Sequence, residues 1–554
     1  MSIPSFRVLL SIRAHAEVGL ICLGLLLAGC GKPGPEGRTE AAQIDWTRVS
    51  DDPSKTLEIS WLGPLGFEKG RPGSWIQSRV EELFNVKLDP IFIDPVTFDK
   101  VLSLRFVAGN IPDVFWDGEP MRIRAKVRHG FVLELPYEVL LEHAPHYVAY
   151  VNAEAPETWM YCYWQGRNWG IPTVVPGGAI PLISAWRADW LENVGISKVP
   201  ETLEEYHEAF RHFTFDDPDR NGLADTYGLS PSVAHWSYLF TEFFAQRDIL
   251  AFDLQEVNGE ITWGGIRPEA KEVLAMLRDW YAEGIIDPDF VLGSVNDSML
   301  AFQNGKVGYY GLGTYDNTLN AAEPSALINR MAQLAPGIRL VAGPPPLGSD
   351  GRFHRRAWGG GGHVMQFSVD IDPEKVLRVL RMLDTIYADP KLALELNMGR
   401  RGLHWDYSSE HGVRTLEPYK EKRAEGEMIG SGNFTGPSFF APSGLPLDVV
   451  DTLRSEGQRE AVRLYSQPEW GLINSLGKTD VLASASDSLG DLRRIQEKYF
   501  VDIIRGKRPL SDFEEFVAEW KRQGGERLLA EANEFRRKRD EVWRKVGVVK
   551  KEAQ

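Results

Sequence analysis

The stretch TLEISWLGPLG, from Thr56 to Gly66, alternates apolar and polar residues and ends in Gly and Pro. This pattern predicts a β-strand followed by a turn. A helical pattern over residues 75–84 and the apolar stretch KLDPIFI over 87–93 follow, so the order is strand, helix, strand. A second helical pattern over 97–107 leads into another short strand, DVFWDG, over 113–118. Strands that alternate with helices predict an α/β fold with a mostly parallel sheet, in which ligands gather at the carboxyl ends of the strands.

The N-terminus predicts export. Arg7 and Arg13 precede the apolar run VGLICLGLLLA, which is too short to cross a bilayer as a helix, so residues 1–29 are expected to be a signal peptide. Leu-Ala-Gly-Cys, ending at Cys30, resembles the bacterial lipobox, whose Cys carries the lipid; an ordinary signal peptide with an incidental Cys is the alternative. Residues 30–55, rich in Gly, Pro and charge, then form a flexible tether. We expect a protein held by lipid at the outer face of the cell membrane, or on the periplasmic side if the host has two membranes.

Composition narrows the function classes. A chain of 554 residues exceeds what one hydrophobic core usually takes, so two lobes are expected. The formal charge of −16 disfavours nucleic acid as a partner, and disfavours a polyanionic ligand unless the binding cleft is locally basic. Of the three cysteines only Cys162 lies beyond the predicted signal and lipid site, which excludes a disulfide or a thiol–metal cluster in the folded part. The 17 tryptophans suggest flat faces for stacking on carbohydrate rings, although Trp also packs cores.

Several motifs occur in an order and spacing that resemble a known family. They are LSLRFVAGNIPDVFW (102–116), WGIP (169–172), WRADWLENVGISKVPETLEEY (186–206), FQNGKVGYYG (302–311), LNMGRRGLHW (396–405) and DIIRGKRPLSDFEEFVAEWKRQGGERLLAEANEF (502–535). Each motif alone is weak, but together they resemble the family 1 extracellular solute-binding lipoproteins of bacterial sugar ABC importers. The length is most similar to the larger, LipO-like branch, which includes alginate-oligosaccharide receptors.

That resemblance implies a two-lobed periplasmic-binding-protein type II fold with a hinge of crossing strands and extra C-terminal helices. We expect residues 56–175 and 300–356 in the N-terminal lobe, and residues 176–299 and 357–554 in the C-terminal lobe. The resemblance further implies a monomer that binds an oligosaccharide between the lobes, delivers it to membrane permease subunits and performs no chemistry on it.

The stretch DPDRNGLADTYG, over 217–228, follows the oxygen spacing of a calcium loop. The expected ligands are Asp217, Asp219, Asn221, the carbonyl of Leu223 and Asp225. Gly228 stands where an EF-hand has its bidentate Glu, and Thr226 stands where the resembling receptors usually carry a Glu, so water or the Thr hydroxyl would have to complete the site. We predict a structural Ca²⁺ here; a polar surface turn is the alternative.

No common catalytic motif is present. The chain lacks GxSxG, HExxH and Walker A sequences, and the GGGG run at 359–362 lacks dinucleotide-binding spacing. That run instead predicts a crossing strand passing close to ligand. Paired carboxylates leave no sequence signature, so a lipid-anchored polysaccharide hydrolase or lyase stays open, as does a surface adhesin that holds sugar polymers.

Aromatic and charged residues at predicted strand ends and loops are the candidate ligand contacts. They are Trp61, Trp116, Asp117, Trp236, Tyr310, Trp358 and Trp405, with Arg401 as a partner for an acidic sugar. Core packing is the alternative for each Trp, and a solvated or salt-bridged surface charge is the alternative for Arg401. Trp186 and Trp190 lie at helical spacing and are predicted to be core residues.

Overall fold

The computed structural model describes residues 44–63, 72–94, 96–231, 239–292, 297–321, 326–335, 337–417, 419, 440 and 443–549. The strands are β1 Leu57–Trp61, β2 Val86–Pro90, β3 Val114–Asp117, β4 Tyr163–Trp164, β5 Arg167–Asn168, β6 Ile171–Val174, β7 Ile183–Arg187, β8 Leu254–Val257, β9 Glu260–Trp263, β10 Tyr309–Gly313, β11 Leu340–Gly343, β12 Arg355–Arg356, β13 Gly361–Phe367, β14 Trp405–Ser408, β15 Gly412–Thr415 and β16 Gly471–Leu472. The helices are α1 Trp75–Phe84, α2 Phe98–Val107, α3 Pro120–Arg128, α4 Tyr137–His143, α5 Pro145–Glu154, α6 Trp159–Cys162, α7 Ala188–Asn193, α8 Leu203–Phe215, α9 Thr241–Ala245, α10 Pro268–Glu283, α11 Asp297–Gln303, α12 Tyr315–Thr318, α13 Leu327–Leu334, α14 Pro373–Ala388, α15 Pro390–Met398, α16 Leu447–Leu453, α17 Glu456–Tyr465, α18 Ala485–Ile504, α19 Asp512–Trp520 and α20 Glu526–Val546.

The first sheet has the order β2–β1–β3–β13–β6. β1 pairs in parallel with β2 and with β3, which confirms the predicted strand–helix–strand start of the fold. Ser74 begins α1 by accepting a hydrogen bond from the Gln77 backbone N–H, and Asn85 ends it in the left-handed conformation. β13 runs antiparallel to both β3 and β6, so the parallel character predicted for the sheet is limited to its other strands.

The second sheet has the order β10–β7–β11 and is antiparallel throughout. These pairings differ from the expected lobe boundaries. Residues 309–313 and 340–343 pair with β7 instead of with the N-terminal strands, and residues 361–367 pair with β3 and β6 instead of with the C-terminal part. The sequence shows where strands begin and end, but strand pairing is set by long-range packing.

Two backbone segments, 175–182 and 356–360, connect the sheets and hydrogen-bond to each other. The Val175 N–H donates to the Gly360 carbonyl at 2.7 Å, and the Leu182 N–H donates to the Arg356 carbonyl at 3.2 Å. The Trp358 N–H donates to the Gly178 carbonyl at 3.0 Å. A Cβ at Gly178 would lie 2.1 Å from the Gly359 carbonyl oxygen, so only glycine allows this approach. We call these two segments the crossing.

The C-terminal helices pack against elements on both sides of the crossing. Asn533 of α20 accepts a hydrogen bond from the Ile261 N–H of β9, while Trp543 of the same helix donates to the Pro156 carbonyl. Cys162 is fully buried, and burial raises the pKa of its thiol well above the ordinary value. No helix among the described residues has the length and apolar character needed to span a bilayer. The predicted signal and the lipidation site at Cys30 lie outside the described residues.

Candidate functional site

Strand ends from both sheets meet at the crossing. In the first sheet, Gly361 at the start of β13 pairs with Val174 at the end of β6, and β1 and β3 end at the same edge. In the second sheet, the ends of β10 and β11 lie beside the start of β7, with Gly343 paired to Ser184. Because the crossing joins these two edges directly, a ligand bound beside it reaches both sheets.

Trp358 is the exposed aromatic residue of the crossing. Its side chain is 42% exposed, a large value for Trp. The guanidinium of Arg356 lies 4.7 Å from the centre of its ring. Arg356 is itself fixed, since it is buried and donates to the Asp253 carboxylate at 2.5 Å, and Asp253 also accepts from Asn474 at 3.1 Å. The ring of Trp358 is therefore accessible to solvent beside a guanidinium that is itself fixed, and its prediction as a ligand contact stays a prediction.

Trp116 and Asp117, at the end of β3, have structural partners. Trp116 is buried and packs edge-on against His363 with ring centres 4.4 Å apart. Asp117 is buried and forms ion pairs with Lys126 and, at 2.9 Å, with Arg122. Burial acts to raise the pKa of Asp117, but these two cations outweigh it and lower the pKa below its ordinary value. Asp117 thus fixes the turn into α3, and its prediction as a ligand contact stays untested.

Tyr310 lies on the second sheet near the crossing. Its ring stacks on Phe302 at 6.0 Å, and it lines a small cavity with the carboxylate-bearing Glu242. Arg355 links this strand to the crossing by donating to the Ser184 hydroxyl at 2.6 Å and to the Gly311 carbonyl. Tyr310 thus precedes Gly311, whose carbonyl is bound by Arg355, the residue directly before the crossing segment 356–360.

Three other predicted contacts have structural roles in this conformation. Trp61 is fully buried, with its ring centre 6.2 Å from that of Phe440. Trp405 is buried and donates to the Gly399 carbonyl at 2.7 Å, while Arg401 pairs with Asp406 at 3.2 Å. Their burial or pairing favours core packing and surface ion pairing, the alternatives named for them. Trp236 lies outside the described residues.

Arg400 is a candidate that the sequence analysis missed. Its guanidinium lies 5.2 Å from the ring centre of Trp75, the first residue of α1. α1 follows β1, so Trp75 lies at the carboxyl-end edge of the first sheet. Among the described residues no carboxylate pairs with exposed Arg400, whereas neighbouring Arg401 is paired. In the sequence, the signal for this part of the site was Trp75, which comes directly after the loop that follows β1.

The predicted calcium loop follows α8 as expected. Asn221 donates through its side-chain amide to Asp219 at 3.0 Å and to Asp225 at 3.3 Å, and its backbone N–H donates to Asp217 at 3.0 Å. Burial and the neighbouring carboxylates of Asp217 and Asp225 raise the pKa of Asp219. The Thr226 hydroxyl donates to the Phe213 carbonyl.

The carboxylates of Asp219 and Asp225 thus converge on the side-chain amide of Asn221. Within the part of the chain that the structure describes, no three Asp, Glu, His or Cys side chains are arranged to hold a metal ion. The conformation is that of a hydrogen-bonded loop whose carboxylates repel one another, and the Leu223 backbone N–H donates to the Asn221 side-chain oxygen at 2.7 Å.

No protein-family model matches the sequence. The chain is 22% identical over 524 residues to the polygalacturonan/rhamnogalacturonan-binding protein YtcQ of Bacillus subtilis (strain 168), covering 93% of this chain and 96% of YtcQ. It is 25% identical over 370 residues to lipoprotein LipO of the same organism, covering 63% of this chain and 67% of LipO. Neither name describes an enzyme.

The alginate-binding protein AlgQ2, solved without calcium ion, superposes with a TM-score of 0.58 at 16% identity, covering 88% of this chain and 98% of AlgQ2. This likeness shows the fold, which is the two-lobed α/β fold of solute-binding proteins. Together with the relatives it confirms the predicted resemblance to family 1 solute-binding proteins.

Proposed function

We propose that the protein is the substrate-binding lipoprotein of a carbohydrate ABC importer, which captures an oligosaccharide at the crossing and delivers it unaltered to the permease. The observation that carries this proposal is Trp358, an exposed ring held by Arg356 on the segment that joins the two sheets. A flat apolar face bordered by polar groups is a surface on which sugar rings stack. The binding role described for YtcQ supports the same function.

The ligand proposed is an oligosaccharide that contains at least one acidic residue. Arg400, which no carboxylate among the described residues pairs with, lies over Trp75 and offers a guanidinium to a sugar carboxylate at the edge of the first sheet. An Arg fork binds a carboxylate through two parallel hydrogen bonds. This guanidinium supplies positive charge locally, although the net charge of −16 by itself disfavours an acidic ligand. YtcQ is described as binding polygalacturonan and rhamnogalacturonan, both acidic polymers.

The lobes of this receptor are proposed to follow the sheets. One lobe is built on the sheet that contains β1, β3 and β13, and the other on the sheet that contains β7, β10 and β11. The crossing then acts as the hinge, because its two short backbone segments, which hydrogen-bond to each other, lie between two larger bodies. This division replaces the boundaries expected from the sequence.

Export and anchoring are further parts of the proposal. The lipobox-like sequence ending at Cys30 supports lipid attachment, and residues 30–55 would tether the folded part to the membrane that holds the permease. The likeness to lipoprotein LipO supports export. We propose that the protein acts as a monomer.

A structural calcium ion in the loop 217–225 completes the proposal. Rotation of the Asn221 amide would replace its nitrogen with its oxygen between Asp219 and Asp225, giving the all-oxygen ligand set that calcium prefers. A cation there would relieve the repulsion among the carboxylates. A solved structure of the substrate-binding protein FusA is described as an EF-hand mutant, which supports a calcium loop in proteins of this fold.

Calorimetry combined with product analysis tests this function. Purified protein is titrated with oligogalacturonides, rhamnogalacturonan oligosaccharides and neutral galactan oligosaccharides, and the recovered sugar is analysed by mass spectrometry. We expect a Kd of about 1 μM or lower, which corresponds to a binding free energy of about −8 kcal/mol or more negative. The mass of the recovered ligand should be unchanged. Shortened chains or unsaturated ends that form in proportion to protein would instead establish a hydrolase or lyase.

A further inference from the structure

Glu242, on the short helix α9, is a buried carboxylate that lines the cavity beside Tyr310. Its side chain is 7% exposed. Apart from its own backbone N–H, no group in the described residues donates a hydrogen bond to this carboxylate. Burying a charged acceptor without a donor is costly, so the position calls for a partner from outside the described chain.

The cavity around Glu242 is small, and apolar groups such as Phe240 and Leu312 form most of its lining. Its volume is about 20 Å³, which is enough for one group of the size of a water molecule or a hydroxyl. Ser230, Ser298 and Tyr310 also line it. The Ser230 hydroxyl already donates to Asp287 at 2.7 Å, and Asp287 pairs with Lys306 at 2.8 Å.

The positive charge of Arg355 acts on Glu242. The guanidinium is fully buried and, among the described residues, donates its hydrogen bonds to Ser184 and to the Gly311 carbonyl, not to Glu242. Burial raises the pKa of Glu242, and the charge of Arg355 opposes that rise. The arrangement suits an acceptor that waits for a neutral donor, because the balancing cation is already held by other partners.

We propose that Glu242 is a specificity residue that accepts a hydrogen bond from one hydroxyl of a neutral sugar residue and excludes a uronate from this subsite. The inference rests on the proposed function, since it assumes an oligosaccharide bound at the crossing. A hydroxyl fits the cavity volume and donates a strong hydrogen bond to a carboxylate. A sugar carboxylate would bring a second negative charge and no donor to the same cavity.

With Arg400 at the edge of the first sheet and Glu242 beside the second, the ligand is expected to carry an acidic residue at one end of the site and a neutral residue at the other. An oligosaccharide that alternates the two kinds of residue satisfies both positions. A chain of uronates alone satisfies only the first.

Calorimetry with three tetrasaccharides tests the proposal: an alternating rhamnogalacturonan fragment, an oligogalacturonide and a neutral galactan fragment. We expect the wild-type protein to bind the rhamnogalacturonan fragment, which satisfies both positions, about tenfold more tightly than the oligogalacturonide. Glu242→Gln replaces a charged acceptor with a neutral one, which weakens the hydrogen bond, so its affinity for that probe should fall about tenfold or more. Its preference for that probe over the oligogalacturonide should also fall. Glu242→Asp, which keeps the charge, should lose affinity but still reject the oligogalacturonide.

Melting curves of each variant and the exposed control Glu541→Gln separate binding from folding. The proposal is overturned if the wild type prefers the oligogalacturonide, or if folded Glu242→Gln and Glu242→Asp bind all probes as the wild type does. If the wild type binds none of the three, the proposed oligosaccharide function fails and the subsite fails with it.

Discussion

At the scale of single residues, the crossing is held by a buried carboxyl group. Glu157 is 7% exposed, and the Gly360 backbone N–H hydrogen-bonds to its side chain. A Cβ at Gly359 would lie 3.4 Å from its Oε1 atom, so the carboxyl group packs directly under the crossing. Burial raises the pKa of Glu157 from the ordinary value of 4.5 to about 7.

This shift predicts a pH dependence of stability. Because the folded pKa of Glu157 is the higher one, the folded protein holds more protons than the unfolded chain between about pH 4.5 and pH 7. The free energy of unfolding should therefore fall as pH rises through this window. Glu157→Gln should remove that loss and make the protein more stable than the wild type above pH 7, by up to about 3 kcal/mol.

Denaturant unfolding at pH 5 and pH 8 measures this difference. The exposed control Glu541→Gln should leave the pH profile unchanged. A Glu157→Gln profile that parallels the wild type would show that Glu157 ionises normally in the folded protein.

Trp358 carries the second residue-scale prediction. Trp358→Ala should weaken oligosaccharide binding about tenfold or more, because removing a central stacking Trp typically costs more than 1 kcal/mol. Trp358→Phe should retain part of the affinity, and Trp46→Ala, at a partly buried position near the N-terminus, should retain all of it. Isothermal titration gives the affinities. If folded Trp358→Ala binds the oligosaccharide as tightly as the wild type does, the Trp358 ring does not contribute to binding.

The aromatic residues show how far sequence alone predicts a site. Trp186 and Trp190 were predicted to be core residues, and both are fully buried. Trp358 was predicted to contact ligand; it is exposed, and the contact itself stays a prediction. Trp61 was chosen for its place at the end of a strand, but it is buried against Phe440, a residue far away in sequence. Position at a strand end is local information, whereas the partner that covers a side chain is not.

At the scale of elements, local chemistry predicted helix starts unevenly. The sequence predicts capping boxes at Thr202 with Glu205 and at Ser511 with Glu514, and a helix end at Gly524. The first box is confirmed, with both reciprocal hydrogen bonds present at α8. The one predicted at Ser511 and Glu514 is wrong, because Ser511 already has helical backbone angles and Glu514 pairs with Lys271. The expected helix end at Gly524 is confirmed, because Gly524 has a φ of 121° and breaks the helical geometry before α20 begins. At Ser511, packing overrides the local signal.

The loop after α8 gives the element-scale prediction. Chelation by EDTA should lower the melting temperature and added Ca²⁺ should restore it, since a ligand at 100 times its Kd stabilises the folded state by about 2.7 kcal/mol. Sugar affinity should change little, because the loop lies outside the crossing and is joined to α7 by the Asn193–Pro218 hydrogen bond. Differential scanning fluorimetry with and without the ion measures the effect.

Asp219→Asn is the matched variant for this loop. It keeps the hydrogen-bonding shape but removes a carboxylate, so its melting temperature should no longer respond to calcium. An unchanged melting temperature of the wild-type protein in EDTA and in Ca²⁺ would make the loop a polar turn without a metal.

At the scale of the whole molecule, the sequence predicted two α/β lobes, and the structure assigns strands to sheets by pairings that no local pattern encodes. β13 is a clear case: its glycine-rich start was predicted to cross near the ligand, yet its sheet was not predicted. The close approach of Gly362 to Thr173, with a Cβ–Oγ1 distance of 2.6 Å, belongs to packing between distant segments. Such packing decides which lobe a strand joins.

The final prediction concerns closure of the two sheets around ligand. They are joined by the crossing, so a ligand held from both edges should draw the two bodies together. Small-angle X-ray scattering of the purified protein should show a smaller radius of gyration when saturated with its tightest oligosaccharide probe. Trp358→Ala at a sugar concentration that leaves it unbound should keep the larger radius. Two hinged bodies have a more compact state, and a ligand bound between them favours that state. If the saturated wild type keeps the larger radius too, the ligand binds a surface that does not close.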